Sequence, residues 1–206
     1  MDILLSILGL LGFVLLTAGT GVFVAVEFAT TSLERSTIDN DVATRGDAAS
    51  KMVQKAHSNL SFMLSGMQLG ITITTLATGY LAEPILAKFL TPLLELTGLS
   101  ESASMPVALV LSLVIATVLS MVFGELVPKN MAIANPLGTA RVLTAPVWHF
   151  NRVFRGFIRA LNWVANHIVR RLGIEPADEL ASARSPQELS ALVRHSSGSE
   201  GFDQPK

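Results

Sequence analysis

Cysteine is absent from the 206 residues, which removes disulfides, thiolate metal sites and cysteine nucleophiles together. Charge is scarce as well: Asp, Glu, Lys and Arg make up 15% of the chain against 50% hydrophobic residues. An ordinary soluble domain carries about 25% charged residues, so the balance points to a membrane protein. The net charge of −1 argues against a nucleic-acid partner. Neither paired cysteines nor a helical His-Glu-x-x-His occurs, so the usual zinc signatures are missing. His57, His149, His167 and His195 are scattered outside the strongest apolar runs. No nucleophile–base pair or phosphate-binding loop suggests an enzyme.

What the chain does have is long apolar runs. A bilayer core of roughly 30 Å takes about 20 helical residues, and three segments are long enough. The first runs from Ile3 to about Leu33, interrupted only by Glu27. With Asp2 as its only other charge and no positive n-region, it reads as a retained span rather than a cleaved leader. The second runs from Leu60 to Ala82 and the third from about Pro106 to Val127, with Glu125 near its end. Arg35, Arg45, Lys51 and Lys55 lie between spans one and two, only Lys88 between two and three, and ten cations after the third. The positive-inside rule therefore predicts an outside N-terminus and a cytoplasmic C-terminal third.

The connection from Glu83 to Met105 reads as short helices in the outer interface. Residues 136–175 are apolar but carry Arg152, Arg155, Arg159, Arg170 and Arg171. A central arginine costs about 2.5–3.5 kcal/mol in a span, so this stretch reads as a cytoplasmic amphipathic belt helix with Trp148 and Trp163 as anchors. Residues 176–206 are polar and read as a linker or tail. The expected organisation is a three-span region over 1–135, belt helices over 136–175 and a tail over 176–206, all-α throughout.

The polar side chains within the spans are ordered. Ser61, Ser65, Gln68, Thr72, Thr75 and Gly79 recur at intervals of four, three, four, three and four, on one helical face. Such a stripe serves either helix packing or ion ligation, and the residues alone leave both open. Counted from each span's inner end at ~1.5 Å per residue, Gln68, Glu27 and Glu125 all fall in the cytoplasmic half. Carboxylates there need a protein interior, a wet cavity or a cation. Carboxylate, amide, hydroxyl and carbonyl oxygens suit a hard cation such as Mg²⁺. Pro128 removes a backbone donor and frees carbonyls near Phe123 and Gly124. Against this stands the simpler pairing of Glu125 with Lys129 at i, i+4.

"GVFVAVEFATTSLERS", "LSGMQLGITITTLATGYLAEP" and "FGELVPKNMAI" resemble, in order and separation, the transmembrane domain of the CNNM/CorC magnesium transporters. The resemblance covers about residues 1–195. It implies a homodimer with three spans per subunit, a cytoplasmic belt and a Mg²⁺ site among the spans, with Na⁺ as a coupling ion. Gly124, Glu125, Pro128 and Lys129 match the family motif directly, whereas Glu27 stands where members often have asparagine or another residue. The leading expectation is that Glu125, Gln68, Ser65 and Thr72 are ligands, with the Gly124 carbonyl contributing and Glu27 as ligand or coupling carboxylate. Val24 stands where better-studied members carry serine, and Met67-Gln68 where they carry glycine-asparagine. Family members commonly continue into nucleotide-binding CBS domains, and "SPQELSALVRHSSGSEG" looks like the lead-in to the first, so a shortened form of a longer protein is expected. A membrane scaffold that recruits a partner protein through the belt is the alternative to transport.

The absence of cysteine makes the topology directly testable. A cysteine at Ser100 is expected to react with an impermeant thiol reagent from outside and one at Ser182 only from inside. Outside labelling at Ser182 would require a fourth span.

Overall fold

The computed structural model describes residues 2–174; the expected tail at 176–206 lies outside them. The described residues up to 161 form one compact unit, and those from 162 on belong to a second. The described residues are helical, with no strand. The helices are α1 (Asp2–Ser32), α2 (Arg35–Thr44), α3 (Ala48–Ser58), α4 (Leu60–Glu95), α5 (Glu101–Ser120), α6 (Val127–Ala134), α7 (Pro136–Val153) and α8 (Arg155–Arg171). A six-residue π-helical segment, Met121–Leu126, joins α5 to α6. Three stretches are long and apolar enough to cross a membrane: Leu4–Ser32, Leu60–Glu95 and Ser102–Ala134. The protein is thus an all-α membrane protein with three spans, as its composition requires.

Glycine sets how closely the spans approach. A Cβ built on Gly12 would meet Leu81 at 3.6 Å, one on Gly19 would meet Thr74 at 3.5 Å, and one on Gly70 would meet the Phe23 ring at 2.5 Å. The small-residue face of α1 is therefore used within the chain, against α4. Toward the N-terminal end of α1, Phe13, Ala82 and Ala116 form a small core. Toward its C-terminal end, Ala25, Ala29, Leu33, Ile38, Val53, Ala132 and Ala140 form one cluster, and Val26, Ala56, Met63, Met67 and Val147 another.

Three features differ from the sequence reading. The segment after Glu83 is not a set of separate short helices, because α4 continues through Pro84 and Pro92 to Glu95. Each proline removes one helical donor, but Ile85 packs over Gly9 and Leu86 joins the outer core, so α1 holds the helix in register. At 36 residues α4 is roughly 54 Å long. It outruns the hydrocarbon core, and its last turns take the place expected of the outer helices. Second, the first loop, which carries no strong periodicity, folds into α2 and α3. Third, the belt is two helices that break at Phe154. α7 is a packed helix, burying Ala140, Thr144, Val147 and Asn151 at intervals of four, three and four. Trp148 packs beside that core with the Lys55 ammonium 4.9 Å from its ring centroid, while Trp163 stacks on His167.

A polar lock ties the α2–α3 hairpin to α7. The Arg141 guanidinium bridges Asp41 and Asp47 and donates to the Ser50 hydroxyl at 2.8 Å. Asp47 caps α3 by accepting from the Ser50 N–H at 2.8 Å. The Ser50 N–H and hydroxyl, then Arg141, hold the Asp47 carboxyl well below the usual carboxylate range.

Two outcomes are expected. A Cβ at Gly66 would fall 2.1 Å from the Oδ1 of Asn151, a fully buried side chain whose amide donates to the Met63 carbonyl at 3.3 Å. Gly66→Ala should therefore lower stability by about 1–3 kcal/mol, and by less when combined with Asn151→Ala, as thermal unfolding in detergent would measure. Because the folded Asp47 pKa lies below its unfolded value, its contribution is complete above the ordinary carboxylate pKa and is lost as pH falls through and below it. Acidification from about pH 5 to about pH 3 should thus lower the parent's melting temperature more steeply than that of Asp47→Asn.

Candidate cation-binding groove

Each membrane-crossing stretch contributes one carboxylate to a single groove. Glu27 of α1, Glu83 of α4 and Glu125 of the π-helical segment line a space of about 780 Å³. Gln68, Thr72, Thr75, Thr78 and Gly79 line it from α4, Thr17, Thr20 and Val24 from α1, and Thr117 and Ser120 from α5. The α4 stripe arises because residues three and four apart share a helix face, and that face meets neither α1 nor α5 squarely.

Contacts between the helices fix the levels. The Thr20 hydroxyl donates to that of Thr74 at 2.8 Å. A Cβ on Gly124 would lie 3.5 Å from Thr17 and 3.6 Å from Thr20, and one on Gly21 would lie 2.9 Å from the Pro128 ring. Glu125 is therefore level with Thr20 and Thr74. Glu27, seven positions further along α1 (27 − 20), lies roughly 10 Å toward the C-terminal end of α1; Glu83, nine positions beyond Thr74 (83 − 74), lies roughly 13 Å in the opposite direction. The carboxylates form a ladder and do not meet at one depth. Depth counting placed Glu125 too near the end of its span because the third span does not end at Lys129 but continues through α6 to Ala134.

The π-helical segment follows from Pro128. Val127 N–H bonds the Val122 carbonyl five residues back, and Pro128 has no N–H to offer Phe123 or Gly124. Lys129 does not neutralise Glu125: its ammonium lies 4.6 Å from the Phe28 ring centroid. Among the described residues, Glu27, Glu83 and Glu125 have no ion-pair partner.

The six residues singled out from sequence separate here. Glu27, Gln68, Thr72 and Glu125 line the groove. Ser65 does not; its hydroxyl donates to the Ser61 carbonyl at 3.0 Å, one position before the Gly66–Asn151 crossing that closes this end of the α4 face. Gly124 is buried against Thr17 and Thr20 and is not a lining residue. Glu83 and Thr78 were missed, although Glu83 continues the spacing of Gln68, Thr72, Thr75 and Gly79; ending the span at Ala82 assigned it to the short connecting helices.

The lining suits a hard cation. Thr72 and Thr117 donate their hydroxyl protons to the Gln68 and Leu113 carbonyls at 2.8 and 2.7 Å, leaving oxygen lone pairs free. Among the described residues no three carboxylate or imidazole groups converge. An ion here would meet one carboxylate at a time, with neutral oxygens and retained water completing its shell, an arrangement that fits Mg²⁺.

Comparison with known proteins yields one family. The family described as cyclin M transmembrane N-terminal domain (CNNM) matches residues 11–205. The chain is 52% identical over 202 residues to UPF0053 protein MT1890 of Mycobacterium tuberculosis (strain CDC 1551 / Oshkosh), covering 98% of this chain and 44% of that protein. It is 36% identical over 190 residues to UPF0053 protein YugS of Bacillus subtilis (strain 168), covering 92% and 44%. UPF0053 protein YrkA of the same organism is 37% identical over 193 residues, with 93% and 44% covered. The chain spans somewhat under half the length of these relatives.

Proposed function

The chain belongs to the CNNM family of membrane proteins, and from that premise we propose that its groove carries a divalent cation, Mg²⁺, across the cell membrane as substrate. The observation that carries this reading is Glu125, a carboxylate in the π-helical segment with no counter-ion among the described residues, lining a groove rich in hydroxyls. In this reading Glu125 is the principal anionic ligand, with Thr72 and Gln68 supplying neutral oxygens. Glu27 receives or couples the ion at the inner level, where Na⁺ would exchange. The direction is export by alternating access, with the N-terminus outside and the C-terminus cytoplasmic.

Two further elements belong to the proposal. Gln68, Thr72, Thr75 and Gly79 are exposed on a single chain, so a second copy placed against this face would close the groove, making the working unit a homodimer. In a longer form, CBS domains after the tail would regulate it. One observation favours a non-transporting scaffold instead: Val24 puts an apolar, buried side chain on the groove wall.

Mg²⁺ titration of the purified protein separates the two. Glu125→Gln keeps the shape and removes the charge, and should weaken binding on the order of tenfold or more, with Glu125→Asp intermediate. Parent-like Mg²⁺ affinity in Glu125→Gln, with raised thermal stability, would instead mean a carboxylate that only burdens the span.

A further inference from the structure

We propose that α8 docks on anionic phospholipid through an arginine face, so that a negatively charged bilayer holds it and a neutral one does not. From Leu126 to Ile174 the chain contains no Asp or Glu, yet Lys129, Arg141, Arg152, Arg155, Arg159, Arg170 and Arg171 all fall within it. Two of these cations have partners inside the protein, Arg141 with Asp41 and Asp47 and Lys129 with the Phe28 ring. The other five arginines are exposed and have no ion pair among the described residues.

At about 100° per residue, Arg155, Arg159 and Arg170 fall within roughly 60° of one another on α8. Phe157, Leu161, Val164 and Ile168 lie on the opposite side and are 55%, 45%, 46% and 54% exposed. An apolar strip this open needs an apolar phase, and the guanidinium groups opposite need anions at the margin of that phase. A bilayer supplies both: acyl chains take Phe157 and Leu161, and the arginines reach back to phosphates on their own apolar stems. A second copy meeting this surface through its own α8 would bring the same positive sign, and like charges repel. Zwitterionic lipid supplies the apolar phase without net charge. Only an anionic leaflet answers a stretch that carries no carboxylate of its own, at about fivefold in docking equilibrium per arginine.

The cysteine-free chain permits a direct test. Val164→Cys on the apolar strip and Asn166→Cys on the arginine side, each bearing an environment-sensitive fluorophore, are made in the full chain and placed in nanodiscs of phosphatidylcholine with increasing phosphatidylglycerol. The emission at 164 should shift to the blue as phosphatidylglycerol rises and revert at high salt, while that at 166 stays water-like. Arg155→Gln/Arg159→Gln/Arg170→Gln should lower the ratio of docked to undocked α8 on the order of a hundredfold, and the same three changed to lysine should restore the lipid response. A probe at 164 that is equally buried in neutral and anionic discs, or buried in detergent alone, would overturn the proposal, because an apolar phase or a protein surface would then suffice. A probe that stays water-like in both discs would overturn it as well.

Discussion

A charged side chain at the centre of an apolar span costs about 2.5–3.5 kcal/mol to insert, and this protein places a carboxylate at a different level on each of its three spans. Glu27, Glu83 and Glu125 have no counter-ion among the described residues, and Lys129, the nearest cation in sequence to Glu125, is engaged by an aromatic ring. The carboxylates are tolerated because all three face one groove with room for water and with hydroxyls along its walls. The remaining structure keeps that groove from collapsing. Glycines on α1 and α4 bring these helices close along one side, and the π-helical segment turns Glu125 into the space instead of toward lipid.

The end of the bundle away from Glu83 holds the larger buried clusters. Two apolar clusters and the Arg141 lock join α1, α2, α3 and α7 into a platform, and Gly66 meets Asn151 where α7 crosses α4. At the other end Phe13, Ala82 and Ala116 form a smaller cluster, and Ala87, Ser104, Ala108 and Ser112 are buried there as well. Gln68 and Glu27 line the groove toward the platform and Glu83 toward the far end.

The spans were legible because twenty apolar residues in helical form have few other uses, and the polar face of α4 because its spacing repeats without a break. Element ends were harder to read. Pro84 looks like a terminator, yet tertiary packing around Ile85 and Leu86 outweighs one lost hydrogen bond, and that error hid Glu83. Arg152, Arg155 and Arg159 argued correctly against a fourth span, but their spacing could not show that α7 buries Asn151 while α8 presents its apolar residues outward. The depth of Glu125 depended on where α6 ends, which no local signal near Lys129 announces. Ser65 has the spacing of a ligand and is diverted by a helix crossing that belongs to the fold and not to its own segment.

The central claim is that Glu125 faces a cation and not merely water. Mn²⁺ has the hard-oxygen preference of Mg²⁺ and scatters anomalously, so crystals of the protein grown with Mn²⁺ would locate it. The account predicts an anomalous peak in the groove within ligand distance of the Glu125 carboxylate, on the side of Gln68 and Thr72. A groove without a peak, while Mn²⁺ binds elsewhere on the same molecule, would contradict it.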